Sequence, residues 1–325
     1  MADPNTDPYG CIGFAPNPDG SITRVVEAPR TPAGSNPFHL SKDLPINQSK
    51  GTFARIFVPR QAFDSPATRK LPLIIYFHGG GFVVSAVDSS CYDSLHTTIA
   101  AGIPAVVISI EYRRAPEHRL PAAYDDGEEG LRWVKSCQDE WVTKYADPTN
   151  SFLMGTSAGG NLVYHVGLRA AAAAAAECGD DLKPLQIKGL ILHHPFFGGT
   201  NRSGSELRLV NDKVIPLCVS DLMWKLCLPI GVDRDHEYCN PTAGIEPGHF
   251  DAIRAVGWKI LITGYHGDPL VDRQIELAEK LEENGVAVTG KFEEGGCHAC
   301  DLSDPLRASV LLSYLKEFVE SAINS

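Results

Sequence analysis

The sequence predicts an α/β protein built on a mostly parallel sheet with helices on both faces, and three observations lead there. Short apolar runs recur along the chain, helical patterns separate them, and glycine-rich turns close several of the runs. Strands that alternate with helices wind into a parallel sheet. Runs that stay apolar at successive positions suit strands covered on both faces.

The runs are Leu73–His78, Ala105–Tyr112, Ser151–Thr156, Lys188–His193 and Trp258–Gly264. Between them, helices are expected over Asp88–Ala101, Ala122–Cys137 and Ala158–Glu177, the last extended by the alanines 170–176, which favour helix. Val271–Asn284 follows as a helix with Gly285 placed to cap it, and then Val286–Phe292 reads as a strand. A final helix is expected from Ser303 as N-cap, with Pro305 in its first turn. Its stripe of Leu306, Val310, Tyr314 and Phe318 is expected to lie on the sheet. Earlier in the chain, Ile22–Glu27 and Thr52–Val58 read as antiparallel edge strands. Two regions break the alternation: residues 1–50, rich in Pro, Gly and Asn, and about 200–250, with an isolated helical segment over Val214–Leu228. Both are expected to cap the C-terminal edge of the sheet, so that residues 1–325 form one domain.

Composition narrows the function. Of 325 residues, 43% are hydrophobic and 21% charged, enough apolar material for a core. The net charge of −11 repels phosphate backbones and anionic lipid, which argues against nucleic acid as a partner. No stretch approaches the ~18 apolar residues that a membrane helix needs. The acidic, proline-bearing start lacks the features of a secretory signal, so a cytoplasmic location is expected. Nine cysteines, an odd number, fit free thiols in a reducing compartment. Cys297 and Cys300 have CxxC spacing but no second ligand pair, so no metal or redox role is assigned to them; they bracket His298.

Three sequence features carry chemistry. Gly155-Thr156-Ser157-Ala158-Gly159 matches G-x-S-x-G between an expected strand and an expected helix, the setting of a nucleophile elbow. Such a turn is strained and needs small neighbours, and it presents the Ser157 hydroxyl at a helix N-terminus that favours developing negative charge. His78-Gly79-Gly80-Gly81-Phe82 follows another strand and leaves amides unshielded. The amides of Gly80, Gly81 and Ala158 are the candidate donors to an oxyanion; a phosphate loop would instead end in Gly-Lys-Ser/Thr. A serine hydroxyl needs a base, and in folds with this elbow the acid and then the histidine follow the serine. Asp268, just past the strand Trp258–Gly264, is the candidate acid, with Asp272 as rival at the start of the next helix. His298 is the candidate base. His193 and His194 end a strand, where they either line a pocket or sit satisfied in the core.

These residues resemble the plant carboxylesterases of the hormone-sensitive-lipase-like branch. The likeness rests on His78–Phe82, Gly155–Gly159, Gly267–Leu270, Gly296–His298 and the block Tyr112–Asp126, similar to Y-R-L-A-P-E-x-x-x-P-A-x-x-D-D, and it runs from about Gly51 to the end. The resemblance implies an α/β-hydrolase fold with an eight-stranded sheet, a helical cap formed partly by the N-terminal segment, and neither metal nor organic cofactor. It implies hydrolysis of an ester of a small plant metabolite, with an acetyl or other short acyl group, by a Ser157–His298–Asp268 triad through an acyl-enzyme. Within the block, Glu117, Asp125 and Asp126 are expected to pair with arginines or cap a helix. Phe82, Phe196, Phe197 and Trp224 are candidates for contact with the substrate, each also an ordinary core residue. One departure stands out: the family's usual acidic residue before the nucleophile is Thr156 here. Two other functions occur among similar plant proteins: dehydration or cyclisation of specialised metabolites, and gibberellin reception, in which the catalytic histidine is lost.

Overall fold

The computed structural model describes residues 3, 5–64, 69–176 and 182–324. Ten strands occur among them: β1 (Phe14–Pro16), β2 (Ile22–Arg24), β3 (His39–Asn47), β4 (Thr52–Pro59), β5 (Leu71–Phe77), β6 (Val106–Ile110), β7 (Ala146–Thr156), β8 (Ile187–His193), β9 (Lys259–Tyr265) and β10 (Val288–Glu293). Eight of these form one sheet in the order β10-β9-β8-β7-β5-β6-β4-β3. Pairing is parallel from β10 to β6, whereas β4 joins β6, and β3 joins β4, antiparallel.

The central strands β5 and β6 and the C-terminal half of β7 are mostly apolar at successive positions because both faces are covered. In β5, Leu73, Ile75 and Phe77 enter the core on one side, with Ile74 and Tyr76 on the other. The second side is closed by helices Ser90–Gly102 and Pro305–Ile323, through Leu95, Ile99, Leu311, Leu315 and Phe318. Helices Ala122–Ser136, Ala158–Ala175, Asp251–Val256 and Val271–Glu283 contribute Leu131, Leu162, Ile253 and Leu277 to the first. Gly285 takes φ 72° just after the last of these, the left-handed turn that glycine accepts without strain. Among the described residues no helix is long and apolar enough to cross a membrane.

Several expectations need correction. Residues 39–47, expected to belong to a cap, form the outer strand of the sheet. Ile22–Arg24 pairs with Phe14–Pro16 in a separate two-stranded ribbon and is not a sheet edge. The final helix is capped by Asp304, whose carboxylate accepts from the Leu306 N–H at 2.9 Å; Ser303 precedes the cap. Leu306 on the expected stripe is 80% exposed, and the buried face runs instead through Ala308, Leu311, Leu315, Phe318 and Ala322. Glu177, the expected end of the alanine-rich helix, lies outside the described residues.

Candidate active site

The strands β5, β7, β8 and β9 end side by side, and the loops that leave them carry the candidate residues. Thr156 closes β7 and Ala158 opens a helix, so Ser157 must reverse the chain in one step. It does so at φ 57°, ψ −118°, a strained conformation for a residue with a side chain. The turn needs its glycines: a Cβ on Gly155 would lie 2.1 Å from the Gly159 carbonyl oxygen, and one on Gly159 would lie 2.0 Å from that of Phe77. The backbone is gripped from the β8 side. The Ser157 N–H donates to the His193 carbonyl at 2.8 Å, and the Ser157 carbonyl accepts from the Phe196 N–H at 2.9 Å.

His298 stands between this serine and Asp268. Its Nε2 is 2.9 Å from Ser157 Oγ, and its Nδ1 is 2.8 Å from Asp268 Oδ2. A carboxylate only accepts, so Nδ1 carries the proton and the Nε2 lone pair faces the serine hydroxyl. Asp268 is wholly buried, and its oxygens also accept from the Leu270 N–H at 2.8 Å and from Gln274 Nε2 at 3.2 Å. Burial alone would raise its carboxyl, but the charge and hydrogen bond of His298, with the Leu270 amide, hold it below the usual range. Burial likewise would lower His298. Asp268, with smaller contributions from Asp212 and Asp301, outweighs that and raises it above the ordinary histidine value. The rival Asp272 is engaged elsewhere, accepting from the Ser205 N–H at 2.6 Å.

The glycine loop leaves β5 beside the serine. Gly80 and Gly81 take φ 108° and 60°. A Cβ on Gly80 would lie 2.2 Å from the Val84 carbonyl oxygen. Among the described residues, no protein acceptor takes the amides of Gly80, Gly81 or Ala158. Gly79 is fixed differently, its N–H donating to Tyr92 Oη at 2.8 Å.

Gly80, Gly81, Tyr92, Ser157 and His298 form the floor of a cavity of about 430 Å³. Its roof comes from the two segments outside the sheet: Cys11, Ile12 and Val26 from one, and Val214, Ile215, Val219 and Met223 from the other. The short helix Pro8–Cys11 packs on the helix Leu217–Cys227, so the two halves of the roof support each other.

The four aromatic candidates are not in this lining. Phe82, Phe196, Phe197 and Trp224 are at most 1% exposed, with Phe196 stacked on Trp224 at 4.5 Å between centroids. They build the core beneath the roof, because large rings gain more from full burial than from a half-open wall. Glu117, Asp125 and Asp126 pair with Arg24, Arg169 and Arg113. Thr156 is buried and accepts from Tyr76 Oη at 2.8 Å, filling a polar niche without charge. Sequence reasoning missed Asn161. It is buried one turn into the elbow helix, where Nδ2 donates to the Phe196 and Tyr238 carbonyls at 3.0 and 2.8 Å. The only available signal was a lone amide among apolar neighbours.

Three comparisons bear on this arrangement. Residues 74–302 match the α/β hydrolase fold family. Carboxylesterase 20 of Arabidopsis thaliana is 46% identical over 327 residues, covering 98% of each chain. A 3-O-acetylpapaveroxine carboxylesterase of Papaver somniferum is 41% identical, covering 96% of this chain and 99% of its own. Among solved structures, an esterase of Pyrobaculum calidifontis superposes with a TM-score of 0.70 at 24% identity, over 89% of this chain and 87% of its own, which speaks to the fold.

Proposed function

The chain belongs to the plant carboxylesterases of the α/β-hydrolase superfamily, carboxylic ester hydrolases, and we propose that it cleaves its ester through Ser157, His298 and Asp268. The observation that carries this reading is the unbroken chain of contacts at 2.9 and 2.8 Å, opening into a cavity beside unpaired amides. His298 Nε2 takes the Ser157 proton as Oγ adds to the ester carbonyl carbon. The oxyanion is held by the amides of Gly80, Gly81 and Ala158. His298 then gives its proton to the departing alkoxide, which leaves an acyl-Ser157. Water, deprotonated by the same nitrogen, adds to the acyl carbon, and collapse returns the proton to Ser157 and frees the acid. Asp268 holds the tautomer and stabilises the imidazolium between these steps.

The proposed substrate is a short-acyl ester, acetate first, of a small plant metabolite. A cavity of about 430 Å³ whose roof is mostly apolar, with Glu27 at its rim, fits a compact and largely apolar ester. The relative from Papaver somniferum is named for an acetylated compound. We further propose one domain in which residues 8–29 and 204–250 cap the sheet, and a cytoplasmic location, which the eight described free thiols support.

The test is hydrolysis of p-nitrophenyl esters from acetate to octanoate by wild type and Ser157→Ala. Wild-type turnover, best on the short chains, should fall by at least about 1,000-fold in the variant. Undiminished turnover by the variant would overturn the reading.

A further inference from the structure

One carboxylate in the wall behind the nucleophile has no part in the mechanism above. Asp301 lies three residues past His298, in the single turn Cys300–Leu302, and is buried. Its Oδ1 is 2.7 Å from His194 Nε2, and its Oδ2 is 2.9 Å from His193 Nε2. Both nitrogens must carry protons, because the carboxylate only accepts. His193 Nδ1 meets Thr263 Oγ1 at 2.6 Å, whereas His194 Nδ1 is buried with no hydrogen-bond partner among the described residues. Burial pushes His194 down to about 4, so its ring is neutral near pH 7. The same three side chains have the composition of a metal site. Their separations, however, are those of direct hydrogen bonds, shorter than the roughly 3.4 Å between two ligands that share a tetrahedral zinc.

What this carboxylate joins matters more than what it could bind. His193 gives its carbonyl to the Ser157 N–H, and Phe196, three residues on, gives its N–H to the Ser157 carbonyl. The strained elbow is therefore held by the segment 193–196, in which His194 itself takes φ 41°. Asp301 belongs to the opposite partner, the loop that carries His298. We infer that Asp301 is a positioning residue: by bonding both His193 and His194, it locks the loop of the base to the segment that grips the nucleophile, and so sets the Ser157–His298 distance. The inference rests on the reading of Ser157 as nucleophile and His298 as base.

The carboxylate also acts on His298 through charge. The groups that face His298 are Asp268 past β9, Asp212 from the roof segment, the neutral ring of His194 at 5.5 Å past β8, and Asp301 with the thiols of Cys297 and Cys300 from its own loop. Burial opposes the proton on His298, and the three carboxylates favour it. The Cys297 thiol, pushed up to about 11, is neutral. His298 serves as base only when neutral, so the acid limb of kcat/KM reports its proton affinity. Removing the Asp301 charge lowers that affinity and moves the limb to lower pH.

The experiment compares wild type, Asp301→Asn, His194→Gln and Ser157→Ala on p-nitrophenyl acetate, with competent enzyme counted by titration with an organophosphonate. Asp301→Asn is expected to lose roughly 10- to 100-fold in kcat per titrated site. KM should stay within about twofold, and the acid limb should move to lower pH. His194→Gln keeps the charge and loosens the clamp, so kcat should fall with the limb in place. A purely structural role would reduce the titrated fraction and leave kcat per site and the limb unmoved, which overturns the inference. If Asp301→Asn does not fold, wild-type kcat in His194→Gln overturns it equally. Retained turnover in Ser157→Ala would instead mark the failure of the underlying assignment.

Discussion

The floor and the roof of the cavity are built by opposite means. The floor is polar, buried and hydrogen-bonded: Ser157, His298 and Asp268 are each at most 6% exposed and are linked to one another and to the Leu270 amide and Gln274. The roof is mostly apolar where it faces the cavity, and its two halves meet through the packing of Pro8–Cys11 on Leu217–Cys227. Hydrogen bonds fix direction, whereas dispersion fixes only volume. On the proposed reading, the floor sets which bond breaks and how fast, and the roof sets which molecules fit above it. Substitutions in the two regions should divide accordingly, with orders of magnitude in kcat below and modest shifts of preference above.

Asp268→Asn tests the floor most severely. An amide in that position can donate to His298 Nδ1, which favours the tautomer with its proton on Nε2 and removes the lone pair facing Ser157 Oγ. The expected loss is about 10⁴-fold in kcat at neutral pH, with folding intact because Asn keeps the shape. Steady-state kinetics beside a melting curve checks it. A loss below tenfold would remove Asp268 from its assigned place and leave the floor with no orienting acid.

Gly80→Ala comes next. Its Cβ would meet a backbone carbonyl, that of Val84, at 2.2 Å, and no rotamer change relieves that contact. The φ of 108° adds strain. The loop must shift, and the proposed oxyanion donors shift with it. A fall of about 10²- to 10³-fold in kcat is expected, with smaller change in KM. Near-normal kcat in this variant would show that the oxyanion is held elsewhere.

The same division governs what the sequence disclosed. The floor is legible because its backbone cannot form without particular residues. Gly155 and Gly159 are forced by approaches near 2 Å, and such constraints leave a motif. Strand periodicity then places Asp268 and His298 just past their strands. The rest of the floor is not legible in this way. Asp301 reads as a loop carboxylate, since its partners lie 107 and 108 residues away and no spacing rule links them. The roof leaves little trace, because many apolar side chains would serve. Phe82, Phe196, Phe197 and Trp224 lie in the core, and smaller aliphatics with Met223 form the lining. β3 escaped notice because an edge strand alternates in exposure and tolerates Pro45, which resembles loop composition. The final helix misled for a related reason: it carries two apolar stripes, and only the fold decides that the one through Leu311 and Leu315 is buried.

Met223→Ala probes the roof and should have the smallest effect. The sulfur presses on the oxyanion loop so closely that a Cβ on Gly81 would lie 2.2 Å from it, and the side chain is 8% exposed at the cavity wall. Cutting it back to Ala opens space directly above the acyl carbonyl without touching any floor hydrogen bond. A contact of one or two methylenes in a hydrophobic pocket is worth about 1–3 kcal/mol, so kcat/KM for butyrate relative to acetate should rise by roughly tenfold. The acetate kcat itself should change by less than about threefold, because the floor donors do not move. A fall in acetate kcat as large as that of Gly80→Ala would break the division between floor and roof, since Met223 would then be holding the oxyanion loop in place. An unchanged chain-length profile would put the acyl group away from Met223, leaving the alcohol half of the ester beneath that part of the roof.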